Sequence, residues 1–304
     1  MSAKRLWTSP YLLLALTCLF WAGNSVIGRA FRDEIPPITF SFWRWGIAFA
    51  VLLPWVARRL ASQWRVILAR WKVMVFLSVL GVPTYNTINY AALHTTTATN
   101  SALINSACTV MIIAVNYFMF RVRAAAPQWA GLAVSLAGVV IIISRGNPRA
   151  LLALELVRGD LLLLVAALCW AVYTACLRWR PPELDPLTFA GASILIGVMV
   201  LAPLYWWEAS SAPPVVFTPG IAAAVLYTGI FPSVLATLFW NEAVAEVGAN
   251  RAGQFMNLVP VFGIALAVIF LGEALEPFHL AGAAVIFTGI YLATTRSARA
   301  PARR

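Results

Sequence analysis

Charge is what this chain has least of. Charged side chains are 11% of its 304 residues, where a soluble domain carries about 25%. Hydrophobic residues make up 62%, and the mean hydropathy is +0.83. A soluble globular domain is excluded; an integral membrane protein with its charges in the loops is expected. Histidine is nearly absent: His94 and His279 lie near loop ends, leaving no metal pair and no Ser-His-Asp grouping. The four cysteines, Cys18, Cys108, Cys169 and Cys176, fall in apolar runs, show no zinc spacing and predict no disulfide. No Gly-Lys-Ser/Thr loop is present to cradle a nucleotide, so no ATP drive is evident. No Asp or Glu stands in the middle of an apolar span; Glu242 sits only at the end of one. No catalytic residue, metal or cofactor is therefore expected, and an enzyme is not.

What is present is apolar length. A membrane helix needs about 20 mostly apolar residues. Ten segments qualify: 10–30, 38–57, 73–93, 98–120, 127–144, 160–178, 187–207, 219–240, 250–271 and 278–295. No window alternates with period two over a barrel-like length, which favours a helical bundle. The net charge of +11 and pI near 10.2 do not form a compact basic patch between aromatics, so no nucleic-acid partner is expected. The positive residues flank the spans, where they orient the chain. With the N-terminus inside, the inner segments hold Lys4, Arg5, Arg58, Arg59, Arg65, Arg70, Lys72, Arg121, Arg123, Arg178, Arg180, Arg251, Arg296, Arg299, Arg303 and Arg304. The outer ones hold Arg29, Arg32, Arg145, Arg149 and Arg158. Both termini are thus expected in the cytoplasm, in a bacterial inner membrane. Bulky Trp21 stands where a signal peptidase needs small residues, so the first span is read as uncleaved.

The stretch Trp21 to Phe40 occurs twice. Shifted by a constant 149, it falls on Trp170 to Phe189, matching Trp21, Ala22, Arg29, Glu34, Pro37, Thr39 and Phe40 with identical residues. Pro83 matches Pro232 in the same register, while Asn105 matches Asn257, and Gly131 and Gly138 match Gly282 and Gly289, at slightly larger shifts. Such internal similarity sets the architecture. The fold expected is an all-α membrane protein of ten transmembrane helices, in two five-helix repeats over 1–150 and 151–304. Five is odd, so the second repeat must enter the membrane from the opposite side. The loop charges agree: five basic residues follow the second span and none follows the seventh. Inverted repeats recur in secondary transporters, with the substrate site between the halves.

Phe20 to Phe31 (FWAGNSVIGRAF) resembles the opening helix of EamA-type carriers of the drug/metabolite transporter superfamily. Leu258 to Leu292, with its Pro, its Leu-Gly-Glu and its Gly-Ala…Gly helix, resembles the end of such a repeat. The Trp- and Tyr-rich polar spans resemble those of YddG-like amino-acid exporters. The resemblance implies ten helices, an inverted repeat and export of small metabolites. The first half departs from it, with Cys108 opposite Pro260 and Arg121 opposite Glu273, so two equivalent sites are not expected.

Polar groups at bilayer depth are costly and face the bundle interior or water. The first span aligns Trp21, Asn24, Ser25 and Gly28 on one helical face, and the sixth repeats this with Trp170, Tyr173, Thr174 and Leu177. Tyr85, Asn86, Asn89 and Tyr90 mark the third span, Asn105 the fourth, and Gln254 and Asn257 the ninth. Each amide alone reads as interhelical glue; together with the aromatics they point to a water-accessible cavity. The candidate substrate-binding set is Trp21, Asn24, Arg44, Tyr85, Asn86, Asn89, Asn105, Trp170, Tyr173, Gln254 and Asn257. Pro83, Pro232 and Pro260 interrupt spans, as hinges or as plain curvature. Arg44 is the sharpest charge, about six residues into the second span. It receives a substrate carboxylate bidentately, or snorkels to the outer interface, or stacks on Trp43 or Trp45. The expected activity is alternating-access export of small metabolites, amino acids first and aromatic ones especially. Hydrophobic drugs or other metabolites are the alternative. A membrane-embedded enzyme or receptor-like module is the reading of another class, and lacks convergent catalytic groups. A small-molecule substrate and the lipid bilayer are the expected partners, and a monomer is the simplest assembly.

Overall fold

The structure is a computed structural model that describes residues 9–96, 98–147, 157–211, 214–271 and 274–295. The boundary between the expected halves, and Glu273 of the Leu-Gly-Glu motif, lie outside them. The first part of the chain forms α1 (Pro10–Ala30), α2 (Pro37–Ala69), α3 (Trp71–Val79), α4 (Tyr85–Leu93), α5 (Ala98–Phe120) and α6 (Ala126–Ile143). The second part forms α7 (Arg158–Cys176), α8 (Pro186–Ser211), α9 (Pro219–Thr228), α10 (Ala236–Val247), α11 (Ala249–Gln254), α12 (Leu258–Leu271) and α13 (Pro277–Thr295). A proline opens α1, α2, α8, α9 and α13 at the first position, where its missing N–H would be unpaired anyway and its fixed φ suits a helix.

Among the described residues, 8 helices are long and apolar enough to cross a membrane. The sequence led to ten; the third and fourth of those are not among the eight. The third contains a π-helical turn, Leu80–Thr84, between two helices of 9 residues. The fourth, α5, contributes an apolar helix over Ile104–Phe120. A matching π turn, Gly229–Leu235, lies between α9 and α10. Pro83 and Pro232 sit inside these two turns. Each ring lacks an N–H and crowds the preceding turn, and the wider π winding absorbs the misfit. Pro260 differs: it stands in the first turn of α12, after a 3-10 turn at Phe255–Asn257. Two further prolines, Pro54 in α2 and Pro203 in α8, lie inside helices at the same shift of 149.

The second span is much longer than its apolar core. The sequence ends it at 57, but α2 has 33 residues and carries Arg58, Arg59 and Arg65 on helix rather than loop. At 1.5 Å per residue that is about 50 Å, well past a hydrocarbon core of about 30 Å.

Helix contacts between the two parts of the chain come in matched sets. α2 packs along α8, and α6 along α13. α1 packs on α10 and α12, and its counterpart α7 packs on α4 and α5. The α6–α13 crossing is the closest. A Cβ on Gly131 would lie 2.4 Å from the Gly289 carbonyl oxygen, and one on Gly138 would lie 2.6 Å from that of Gly282. Small residues at such crossings let helix backbones touch, which is how membrane helices gain packing that lipid cannot supply.

Candidate functional site

Arg44 lies within α2 and is 1% exposed. Its Nε donates to Ser233 Oγ at 2.5 Å. Its Nη1 donates to Asn86 Oδ1 at 2.7 Å, Tyr90 Oη at 2.8 Å and Asn24 Oδ1 at 3.2 Å. Tyr90 Oη in turn donates to Asn24 Oδ1 at 2.6 Å. The guanidinium also lies over the Trp45 ring at 5.1 Å and the Tyr90 ring at 5.9 Å. No carboxylate pairs with it among the described residues. Four segments converge here: α1 brings Asn24, α2 Arg44, α4 Asn86 and Tyr90, and the second π turn Ser233. Ser233 also donates to the Thr228 carbonyl at 2.7 Å, the oxygen that Pro232 has no N–H to satisfy.

Beside this network lies an aromatic cluster. Trp21 meets Trp170 edge to face at 5.1 Å and Trp240 at 5.1 Å. Trp170 also contacts Tyr85 at 5.1 Å, Tyr173 at 5.0 Å and Trp240 at 5.7 Å. Trp240 Nε1 donates to Thr174 Oγ1 at 3.3 Å, and Tyr173 Oη to Asn241 Oδ1 at 2.8 Å. The buried Trp170 Nε1 has no partner among the described residues.

Three cavities follow the same line. A central one of about 20 Å³, room for about one water, is lined by Trp21, Asn24, Ser25, Tyr85, Asn86, Asn89 and Asn105 among others. On one side it shares Ser25, Asn105 and Val259 with a cavity of about 320 Å³ whose rim holds Arg29 and Arg145. On the other side of the aromatic cluster is a cavity of about 380 Å³, with Thr174 and Asn241 in its wall and Arg178 and Arg180 beside them. Contacts between helix ends show that these two open toward opposite faces. Glu208, Asp160 and Arg29 mark one face; the Arg59–Asp185 and Arg70–Glu183 pairs mark the other.

The profile of the EamA-like transporter family matches residues 8–144 and again residues 157–295. The chain belongs to the EamA-like transporter family. It is accordingly an integral membrane transporter, not an enzyme. An uncharacterized transporter of Archaeoglobus fulgidus is 30% identical over 95% of this chain and 98% of its own. A probable amino-acid metabolite efflux pump of Salmonella typhimurium is 26% identical over 63% of this chain and 66% of its own. A solved crystal structure shares the fold with a TM-score of 0.77 at 20% identity, covering 96% of this chain and 99% of that one.

Within this EamA carrier, most residues singled out from sequence come together. Asn24, Arg44 and Asn86 form one network, and Trp21, Tyr85, Trp170 and Tyr173 one cluster. Asn89 and Asn105 line the central cavity. Arg44 does not snorkel: it is held inside by four side chains. Gln254 and Asn257 lie elsewhere. Asn257 Nδ2 donates to Ser135 Oγ of α6 at 2.8 Å, tying two helices. Gln254 is buried with both amide atoms unpartnered among the described residues, and it lines none of the three cavities. Sequence reasoning missed Ser233, Trp240 and Asn241. Ser233 follows an in-span proline, which was its available signal; Trp240 closes a mostly apolar stretch in which one more aromatic does not stand out.

Proposed function

We propose that this carrier exports small amphipathic metabolites bearing a carboxylate, with aromatic amino acids leading, by alternating access between its two halves. The observation that carries this is Arg44, a buried guanidinium with no carboxylate partner among the described residues, beside a cluster of indoles. A cation at such depth costs about 2.5–3.5 kcal/mol or more. A substrate carboxylate would offset that cost while its ring packs on Trp21 and Tyr85. The resemblance to YddG-like exporters and the printed description of the Salmonella relative support the same class. A carrier of cationic drugs is less well supported, since no carboxylate lines the central cavity. Counterflow into proteoliposomes loaded with single amino acids tests the reading. Phenylalanine, tyrosine or tryptophan should exchange without an imposed pH gradient, and Arg44→Lys should cut the rate at least tenfold, because a point charge does not replace a planar fork. Exchange of none of the twenty amino acids would reject it.

The two matched segments of the family profile support two repeats, and the packing supports their inversion. In the repeat register Gly131 corresponds to Gly282, and Gly138 to Gly289. Gly131 touches Gly289, and Gly138 touches Gly282. Reciprocal contacts of this kind are the mark of a two-fold axis, and between antiparallel helices that axis lies in the membrane plane. We read the Arg178 face as cytoplasmic by the positive-inside rule. Cysteines at 62 and 211 should then be labelled from the inside and the outside respectively; labelling of both from one side would contradict inversion.

A further inference from the structure

We infer that the preferred species carried is a net anion, a carboxylate on a planar or apolar body without an ammonium; a zwitterion is taken through its carboxylate alone. The inference rests on the carboxylate reading above and narrows it. Along the line of three cavities every charged side chain is an arginine. Arg29 and Arg145 stand on one rim, Arg44 beside the centre, and Arg178 and Arg180 on the other rim; among the described residues no Asp or Glu lines any of the three.

The carboxylates nearby are committed elsewhere. Glu208 accepts from the backbone N–H groups of Ile38 and Thr39. Asp160 accepts from Val157 N, Asn100 and Thr96. Asp185 pairs with Arg59, and Glu183 with Arg70. Glu242 and Glu246 are exposed and line none of the cavities.

Hydrogen-bond polarity at the centre points the same way. A guanidinium only donates, so it turns the amide oxygens of Asn24 and Asn86 toward itself. Asn86 Nδ2 goes to the Val82 carbonyl. What Arg44 and Asn24 have left for a ligand is N–H: Nη2 of Arg44 and Nδ2 of Asn24, neither bonded among the described residues. Arg180 Nη1 is likewise buried without a partner among the described residues, in the wall of the 380 Å³ cavity. An ammonium entering this path would meet guanidinium groups at each station and no carboxylate. A carboxylate would meet a donor at each.

A net anion also supplies a driving force. An inside-negative potential pushes it outward, by about fifty-fold in concentration ratio per 100 mV for one charge. No mid-span carboxylate is then needed to couple protons.

The test uses three probes of one shape in proteoliposomes of the full chain, with empty-liposome leak subtracted. They are phenylalanine, 3-phenyllactate (hydroxyl in place of ammonium) and phenylalaninamide (carboxylate masked). At pH 7, 3-phenyllactate should move at least as fast as phenylalanine, and phenylalaninamide should not move. A valinomycin–potassium potential should accelerate 3-phenyllactate severalfold with no pH gradient. If phenylalanine moves and 3-phenyllactate moves more slowly, or if 3-phenyllactate moves only with a pH gradient, the inference is overturned while the carboxylate reading stands. If phenylalaninamide moves as well as phenylalanine, or none of the three moves, the carboxylate reading falls with it.

Discussion

Trp21 and Trp170 meet edge to face, 5.1 Å between ring centres, and they occupy matching positions of the two sequence stretches that align at a shift of 149. In the two-repeat arrangement proposed above, such a pair lies on the axis relating the halves. The sequence put both indoles in the candidate substrate-binding set. Here they close on each other, with a cavity of about 20 Å³ beside them and larger openings toward both faces. Substrate must therefore part an aromatic contact, and such a pair is worth about 0.5–1.5 kcal/mol beyond its burial. That is small enough for ligand binding to offset.

The three tryptophans should consequently separate on substitution. Trp240 is 0% exposed and Trp170 4%, so Trp240→Ala and Trp170→Ala should each leave a void and cost about 3–5 kcal/mol. Trp21 is only half-buried and lines the central cavity. Trp21→Ala should cost less, and should change the ranking of substrates in reconstituted vesicles. Thermal unfolding in detergent and counterflow with mixed substrates measure the two effects. Equal melting losses at all three positions, with unchanged ranking for Trp21→Ala, would sink the distinction.

Ser233 positions Arg44 rather than contacting substrate. Ser233→Ala removes the acceptor for Arg44 Nε, at a cost of about 1–3 kcal/mol for a buried polar group left unpaired. The Michaelis constant for export should rise several-fold, and Ser233→Thr, which keeps the hydroxyl, should restore most of it. If Ser233→Ala lowers stability but leaves that constant at the parent value, Ser233 does not orient the guanidinium.

The centre of this site was legible because its residues break a rule of membrane sequence. Arg44, the amides of Asn24 and Asn86, and tryptophans far from the interface each stand out against apolar runs, and the repeat paired them. What stayed hidden depends on geometry that no single run of sequence carries. Pro83 and Pro232 marked breaks, but not that each would widen into a π turn. Asn257 looked like a cavity amide, and only the crossing of α6 shows its Ser135 partner. The α2 N-terminus begins Pro36-Pro37, without a capping side chain of its own. Its cap is Glu208, which accepts from Thr39 N at 2.6 Å from 169 residues away. Of the ten spans read from the sequence, eight are long and apolar enough among the described residues; the third carries Tyr85, Asn86, Asn89 and Tyr90, which lower its hydropathy.

Gly131 should tolerate no side chain. Gly131→Ala sets a Cβ 2.4 Å from the Gly289 carbonyl oxygen, and backbone on both helices must move. Overpacking of this kind costs about 1–3 kcal/mol. Gly46→Ala, in α2, meets nothing within 4 Å, so it should be neutral or slightly stabilising, since Ala is the better helix former. Thermal unfolding of both variants in one detergent checks the contrast. Comparable melting temperatures for the two would contradict the close α6–α13 crossing.

Asp185 should give the carrier a share of its stability that acid removes. The residue precedes Pro186 at the start of α8. It accepts from Leu187 N and Thr188 N at 3.1 Å and from Thr188 Oγ1 at 2.6 Å, and it pairs with Arg59 at 3.0 Å. Burial alone would raise its carboxyl, but the Thr188 hydrogen bonds, with Arg59 and Leu187 N, together hold it below the ordinary value of 3.8. A folded value below the unfolded one means that the ionised form is favoured by folding. The contribution is therefore complete above about pH 5, begins to fade near 3.8, and is gone below the folded value. The Arg59 pair is half in water and contributes little, so the cap carries most of the effect, about 0.5–2 kcal/mol against alanine. Parent and Asp185→Ala should differ by that amount in unfolding free energy at pH 7 and converge as the pH falls toward 3. Asp185→Asn keeps an acceptor at the helix start without a titrating charge, so its curve should stay flat relative to Asp185→Ala over the same window. A gap between parent and Asp185→Ala that stays constant from pH 7 to pH 3 would show that the charge on Asp185 does not contribute.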